Sequence, residues 1–237
     1  MGKVALVAML AVGCAASSET PDQRVARARR EWTQTTNARL KALKVEFPAS
    51  RVFLRAYKQE RELELWVGNA DGPLKLYRTY AIAAASGELG PKRKEGDRQV
   101  PEGIYRVDRL NPASQFYLSI GLNYPNAYDR EVGAARPGGD IFIHGDAKSI
   151  GCLAMTDPKI REIYPLVADA WRAGKNPVSC HIFPFRMTAA NLAAAAKSQP
   201  KWAAFWRQLQ PVEAAFNRSF LVPRVKVTRD GYALVKD

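Results

Sequence analysis

A histidine and a cysteine lie eight positions apart in residues 141–152, directly after an apolar run rich in β-branched residues. The chain has only two histidines and three cysteines, so one of each in a single glycine-containing loop stands out. An imidazole that takes the proton of a thiol makes it a nucleophile near neutral pH. We therefore interpret Cys152 as a nucleophile and His144 as its general base. The alternative is a cysteine packed as a small hydrophobe and a histidine satisfied at a strand end.

The residues between them fit the same chemistry. Gly151 lets the backbone turn tightly, and N–H groups around Gly151 and Cys152 are candidates to hold an oxyanion. Ser149 is a candidate to contact the substrate or orient the loop, with a purely structural turn role as the alternative. Asp146 can cap the loop through its carboxylate, and Lys148 is either a substrate contact or a solvated surface charge.

Four segments together resemble the L,D-transpeptidase catalytic domain (YkuD) family. The His-Gly pair at 144–145 followed by Ser-x-Gly-Cys at 149–152 is similar to its signature, and residues 100–107 resemble one of its strand starts. Residues 122–129 and 181–188 are similar to the YafK-like branch of that family, and the resemblance spans roughly residues 51–234. Two features differ from the commoner motif. Ile150 occupies the position of a second histidine, and the His-to-Cys spacing is shorter, as in the YafK-like branch.

The resemblance implies a mainly β, α+β fold: a mixed β-sheet catalytic core with flanking helices at both ends. It implies a cysteine enzyme that attacks peptidoglycan stem peptides at the L-centre of a diamino acid, with no cofactor and no metal. It also makes Tyr124, Asn126 and Asp129 candidate substrate contacts. Arg186 is a further candidate, because a guanidinium suits a bidentate grip on a carboxylate, and a solvated surface charge is the alternative.

The fate of the acyl-enzyme is a separate question. The YafK-like branch is linked to cutting the bond between peptidoglycan and a wall-anchored lipoprotein, so we expect hydrolysis of such an amide link. The alternatives are a transpeptidase that forms peptidoglycan cross-links and a non-catalytic peptidoglycan-binding protein. Ile150, in place of the second histidine, keeps the last alternative open.

The composition indicates an anionic partner. The chain has 237 residues, 47% of them hydrophobic, and a formal net charge of +13, so a packed core with a strongly basic surface is expected. A cell-wall polymer or a membrane surface fits that charge, and a solvated basic face that aids solubility is the alternative. Nucleic acid is not expected, because zinc-finger spacing, RNP motifs and aromatic-interleaved basic repeats are absent from the sequence.

The first residues are typical of an export signal. Residues 1–16 contain one lysine, an apolar stretch too short to span a bilayer, and small residues, which predicts a signal peptide and a periplasmic enzyme. Cys14 after Gly13 resembles a bacterial lipobox, although Leu10 lies one position early, so we favour lipid anchoring at Cys14 over soluble export. In an oxidising compartment Cys152 and Cys180 could form a disulfide, but we expect both to be free thiols, because a catalytic thiol gains nothing from being capped.

Hydrophobic periodicity and helix-breaking residues divide the rest of the chain into segments. We expect a basic helical segment over residues 17–48, packed on the surface or touching membrane or wall, then a catalytic domain over 49–187 and a helical extension with a final strand over 188–237. Residues 69–72 predict a hairpin turn and residues 124–136 a long loop. Helices are predicted at 157–173, 188–197 and 201–217, and strands at 51–58, 60–68, 74–85, 104–108, 116–120, 141–144, 178–184 and 224–235.

Overall fold

The computed structural model describes residues 19–174 and 177–235, and these form a mixed β-sheet with helices on both faces. Its strands are β1 (Arg51–Tyr57), β2 (Glu62–Gly68), β3 (Lys75–Ala81), β4 (Gly103–Asn111), β5 (Ser119–Leu122), β6 (Phe142–His144), β7 (Leu153–Ala154), β8 (Ser179–Phe183), β9 (Val225–Thr228) and β10 (Gly231–Leu234). The helices are α1 (Pro21–Ala42), α2 (Ala127–Val132), α3 (Asp157–Ala173), α4 (Ala189–Ser198) and α5 (Ala203–Ser219).

Eight strands form one sheet in the order β3-β2-β1-β8-β4-β5-β6-β7, and β9 and β10 form a separate hairpin. β1 and β8 are parallel, as are β6 and β7, while the other neighbours are antiparallel. The predicted fold class, a mixed sheet with flanking helices at both ends, is therefore confirmed. The parallel β6–β7 pair is the part of the sheet that carries the Cys–His segment.

Helices α1 and α3 cover one face of the sheet. α1 begins at a capping box in which Thr20 and Gln23 satisfy each other's backbone N–H groups, and it buries Ala28 and Leu40 in the core shared with the sheet. Arg29 of α1 forms an ion pair with Asp169 of α3. The basic N-terminal helix is thus packed on the surface of the catalytic core, as one of the two expectations had it.

Helix α5 covers the opposite face. Its buried aromatic side chains pack on the sheet residues that alternate with those facing α1 and α3, with the Phe53 and Phe216 rings 4.8 Å apart. Trp206 is fully buried and donates its indole N–H to Glu102 at 2.8 Å, which in turn accepts from Lys58 at 2.9 Å. The aromatic stripe of α5 is therefore core packing, and the C-terminal extension is part of the fold's second core.

Several sequence expectations are corrected or refined. Residues 124–136 are not a continuous loop, because they contain α2, and residues 224–235 form a two-stranded hairpin rather than one strand. Cys152 and Cys180 are both free, so the disulfide alternative is wrong. The predicted signal peptide and Cys14 lie outside the described residues. Across residues 19–174 and 177–235, none of the helices combines the length and the apolar character needed to cross a bilayer.

Candidate active site

Strand β6 holds His144 in a fixed orientation. The strand pairs with β5 on one side and β7 on the other, and His144 is 1% exposed. Its Nδ1 lies 2.5 Å from the Gly145 carbonyl oxygen. Because a carbonyl oxygen only accepts, Nδ1 must carry the proton, which leaves a lone pair on Nε2. This is the tautomer that a general base needs.

Cys152 lies beside the start of the same strand. Its Sγ is 3.4 Å from the backbone N of Phe142, which donates to it, and 3.6 Å from the carbonyl oxygen of Asp140. The parallel register pairs Ile143 with Leu153, so the thiol and His144 are offset by two residues along the strand, roughly 7 Å. Among the described residues no hydrogen bond joins the two side chains, so they must approach each other before a proton can pass between them.

Burial favours the neutral forms of both Cys152 and His144. It raises the pKa of the Cys152 thiol, an effect that the N–H of Phe142 partly offsets. Burial also lowers the pKa of His144, against the opposing effect of its hydrogen bond to Gly145. At neutral pH the resting pair is therefore a thiol and a neutral imidazole, which suits proton transfer during attack rather than a preformed thiolate–imidazolium pair.

Ser149 organises the loop that presents the thiol. Its hydroxyl donates to the Cys152 carbonyl at 2.6 Å and accepts from the backbone N–H groups of Cys152 at 2.9 Å and Gly151 at 3.3 Å. The structural turn role proposed as the alternative for Ser149 is therefore present. The two N–H groups considered for an oxyanion hole are directed at this hydroxyl, so their role in holding an oxyanion stays a prediction.

Gly151 has a backbone φ of +129°, a conformation that side chains rarely allow, and a Cβ there would lie 3.3 Å from the Gln99 carbonyl oxygen. The neighbouring Ile150 is 79% exposed. The departure from the commoner motif at Ile150 thus leaves the packing around Cys152 undisturbed.

The three substrate contacts suggested by resemblance are buried. Asn126 caps α2 in a capping box with Asp129, and its amide donates to Ile104 and Tyr232. Asp129 also accepts from Tyr105 at 3.0 Å, and burial raises its pKa to about 6. These contacts favour a structural role for Asn126 and Asp129.

Tyr124 is also buried, and its hydroxyl donates to the carbonyls of Pro137 at 3.2 Å and Lys92 at 3.4 Å. It therefore ties two loops together near the site. For Tyr124, as for the α2 cap, direct contact with a substrate stays a prediction that this arrangement does not favour.

Arg186 is engaged within the protein. Its guanidinium binds Glu62 and Glu64 and lies 4.4 Å above the Tyr57 ring. A guanidinium neutralised by two carboxylates is poorly prepared to bind a third, so its role as a substrate anchor is likewise not favoured.

Two further loop residues, Asp146 and Lys148, were considered from the sequence, and they lie in different surroundings. Asp146 donates its backbone N–H to Asp157 at 2.8 Å, and its carboxylate caps the N–H of Ala147, as the capping reading of this residue expected. Lys148 is exposed.

The structure adds one group near the thiol that sequence reasoning missed. Arg109 of β4 lies 4.5 Å above the Phe142 ring and forms ion pairs with Asp108 and Asp140 at 2.9 and 3.0 Å. Burial, which is the largest effect, and the charge of Asp140 raise the pKa of the Cys152 thiol, whereas the charges of Lys92 and Arg109 lower it. Arg109 belongs to none of the sequence motifs discussed above. Its approach to Phe142 depends on the pairing of β4 with β5 and of β5 with β6, which no local pattern contains.

A cavity of about 530 Å³ borders the His144 loop. Phe116 lines it and packs on the imidazole with ring centres 4.6 Å apart, so the cavity lies on the histidine side of the site. Asp146, Asp157 and Arg24 also line it. His144 itself does not line this space, so the cavity can admit a group beside the His144 loop, where the carboxylates of Asp146 and Asp157 suit a cationic group.

The sequence over residues 53–179 matches the L,D-transpeptidase catalytic domain (YkuD) family, which is more than half of the chain. The chain belongs to this family. It is 40% identical over 198 residues to an Escherichia coli K12 protein with the provisional name L,D-transpeptidase YafK, covering 83% of this chain and 78% of that protein. The corresponding protein of Escherichia coli O157:H7 matches equally well. Family membership supports a cysteine-dependent enzyme class and peptidoglycan as its partner.

Solved structures are more distantly similar. The helical cell shape determining protein Pgp2 of Campylobacter jejuni matches with a TM-score of 0.47 and 17% identity, over 81% of this chain and 79% of that one. Bd1075 of Bdellovibrio bacteriovorus matches with a TM-score of 0.41 and 22% identity, over 70% of this chain and 61% of that one.

Proposed function

We propose that this protein is a cysteine acyl-transfer enzyme that hydrolyses an amide bond at the L-centre of diaminopimelate in peptidoglycan stem peptides. The observation that carries the proposal is the orientation of His144, whose Nδ1–H is held by Gly145 while Nε2 is left basic, at the same pair of strands that carries the free thiol of Cys152. A neutral base next to a partly buried thiol is what nucleophilic acyl transfer requires.

In the proposed reaction, His144 Nε2 takes the proton of the Cys152 thiol as sulfur attacks the substrate carbonyl. The tetrahedral intermediate collapses when the imidazolium gives that proton to the leaving amine, which departs and leaves a thioester on Cys152. His144 then takes a proton from water, the resulting hydroxide attacks the thioester, and the carboxylic acid leaves as the thiol is reprotonated.

The substrate side of the site also has candidates. Arg109 is the guanidinium whose charge acts on the thiol, and it is half-exposed, so we propose it in place of Arg186 as the contact for a substrate carboxylate. Arg109 is also paired with two carboxylates, Asp108 and Asp140, but both are solvent-accessible and Asp140 is 89% exposed. Such surface ion pairs exchange at little cost, whereas one partner of Arg186, Glu64, is buried.

Hydrolysis is proposed over cross-linking for two reasons. The family branch that this chain resembles is linked to release of a wall-anchored lipoprotein, and the chain is 40% identical to YafK of that branch. In addition, the carboxylates of Asp146 and Asp157 line the cavity beside His144, where the ammonium of a lysine-bearing leaving fragment would find complementary charge.

We also propose that the enzyme is exported to the periplasm and acylated at Cys14. The basis is the short apolar segment that ends in Gly13-Cys14. Mass spectrometry of the mature N-terminus is expected to find an acylated cysteine as the first residue. An unmodified N-terminus beyond Cys14 would instead indicate soluble export.

The test of the proposed reaction is incubation of purified protein with peptidoglycan sacculi, followed by muropeptide analysis. Release of lysine-bearing fragments or of peptide-linked lipoprotein, with little new cross-linking, is the expected result. New links between two diamino acids without fragment release would identify a transpeptidase. Binding to sacculi with neither product would identify a non-catalytic protein.

A further inference from the structure

A second cavity, of about 880 Å³, lies away from the Cys–His segment and shares no lining residue with it. It forms where the central strands β1, β8 and β4 meet α2 and the chain around β9. Its volume is within the range of about 300–1,000 Å³ typical of small-molecule sites. The proposed hydrolysis does not use this region, so any function here is an additional one.

The cavity is lined by cations and no carboxylates. Five basic side chains face it: Arg51, Arg106, Arg130, Arg224 and Lys226. Within residues 19–174 and 177–235, none of the five has a carboxylate within ion-pair distance, whereas arginines elsewhere, such as Arg55 and Arg186, do. Like charges gathered on one concave surface repel each other, so a bound anion would stabilise the arrangement.

Two of these cations are held in place by the backbone. Arg51 donates to the Gly72 carbonyl at 2.9 Å, and Arg130 donates to the Pro125 carbonyl. Carbonyl contacts orient a guanidinium without neutralising its charge, so both remain available to an anion. Arg106 and Arg224 are exposed at the cavity and have no side-chain hydrogen bond in the described part of the chain.

An independent feature is an unsatisfied imidazole. His181 lines the cavity, is 2% exposed, and its Nδ1 is buried without a hydrogen-bond partner in the described structure. The register pairs it with Arg55 of β1 and Ile104 of β4, which places it in the centre of the sheet. Burial lowers the pKa of His181 to about 3, so the ring is neutral and one nitrogen carries a proton for donation. Buried polar groups without partners are uncommon and call for an explanation such as a ligand.

We infer that this cavity binds a phosphate-bearing anion, either the headgroup of an anionic phospholipid or a soluble phosphate compound. Four of the five cations are arginines, whose planar guanidinium matches phosphate oxygens in a bidentate manner. The strongly basic net charge of the chain is consistent with such a ligand, and the site gives that charge a defined location.

The test is titration of the purified protein with inorganic pyrophosphate by calorimetry at fixed ionic strength, with citrate as the carboxylate comparison. Arg106→Ala with Arg224→Ala is expected to weaken pyrophosphate binding at least about tenfold, because each removes a charge-assisted contact. The matched control is Arg30→Ala with Arg207→Ala, which removes the same charge from exposed positions outside the cavity and is expected to change affinity less than about twofold. Thermal melting of both double variants verifies that they fold, and Arg106→Gln alone serves if the double variant does not.

Vesicles of phosphatidylglycerol with phosphatidylcholine, against phosphatidylcholine alone, distinguish the two sources. Vesicle binding that pyrophosphate displaces indicates a lipid headgroup, and pyrophosphate binding without vesicle binding indicates a soluble ligand. Equal weakening in both double variants, no pyrophosphate binding by the wild type, or tighter binding of citrate would overturn the inference. Because every readout is binding, these results are independent of whether Cys152 hydrolyses peptidoglycan.

Discussion

Removal of the Ser149 hydroxyl tests how far its hydrogen bonds stabilise the loop that presents the thiol. That hydroxyl makes hydrogen bonds of 2.6, 2.9 and 3.3 Å to backbone groups of Cys152 and Gly151. A neutral hydrogen bond contributes about 0.5–1.5 kcal/mol net, so loss of the two shorter bonds in Ser149→Ala costs roughly 2 kcal/mol. If that cost falls on the active loop conformation, the equilibrium constant that favours it over other conformations falls about 30-fold, since each 1.4 kcal/mol is tenfold. This is the upper limit of the fall in its population.

The assay is the rate of fragment release from sacculi together with the rate of covalent labelling of Cys152. Both are expected to fall in Ser149→Ala, by up to about 30-fold, and Ser149→Thr, which keeps a hydroxyl, is expected to recover part of the loss. Ser198→Ala is the control, because Ser198 makes a single hydrogen bond at the end of α4, remote in sequence from the site. Wild-type rates in a folded Ser149→Ala variant would refute the loop argument.

Three further outcomes follow from the geometry. Because burial lowers the pKa of His144, the base stays neutral in mild acid, so kcat/KM is expected to fall only below pH 6.5, and a midpoint above 6.5 would contradict this. In Gly151→Ala the alanine is forced into a φ of +129°, so denaturant unfolding is expected to show a loss of about 1–3 kcal/mol in the free energy of unfolding, and most covalent labelling of Cys152 is expected to disappear. Gly139→Ala, with open space around it, is expected to keep both its stability and its labelling. Glu64→Ala leaves Arg55 buried and uncompensated, so urea unfolding is expected to show a loss of about 3–5 kcal/mol, and a loss below about 1 would refute that assignment.

Local sequence patterns predicted most of the longer helices. Helices α3 and α4 lie within one residue of the predicted ranges 157–173 and 188–197, with Gly174 capping α3 in the left-handed region and Thr188 capping α4. Helix α2 was missed because it is only six residues long, although Asn126 three residues before Asp129 was an available capping signal. The sheet order, with β8 between β1 and β4, depends on long-range pairing that no local pattern contains.

The features of the site also divide into those that local sequence predicts and those that depend on contacts between distant strands. The loop positions of His144 and Cys152 follow from local sequence, and the structure places both at the β6–β7 pair. The pairing of Arg186 with Glu62 and Glu64 and the approach of Arg109 to Phe142 depend on contacts between distant strands, so residue type alone could not distinguish a structural arginine from one near the thiol.

The most direct test of the central claim, that Cys152 is the nucleophile, is intact-protein mass spectrometry after incubation with a carbapenem. Wild-type protein and Cys180→Ala are expected to gain the mass of one acyl adduct, because Cys180 is fully buried in β8. Cys152→Ala is expected to gain none while remaining folded. An adduct on Cys152→Ala, or its absence from wild type and Cys180→Ala, would contradict the account.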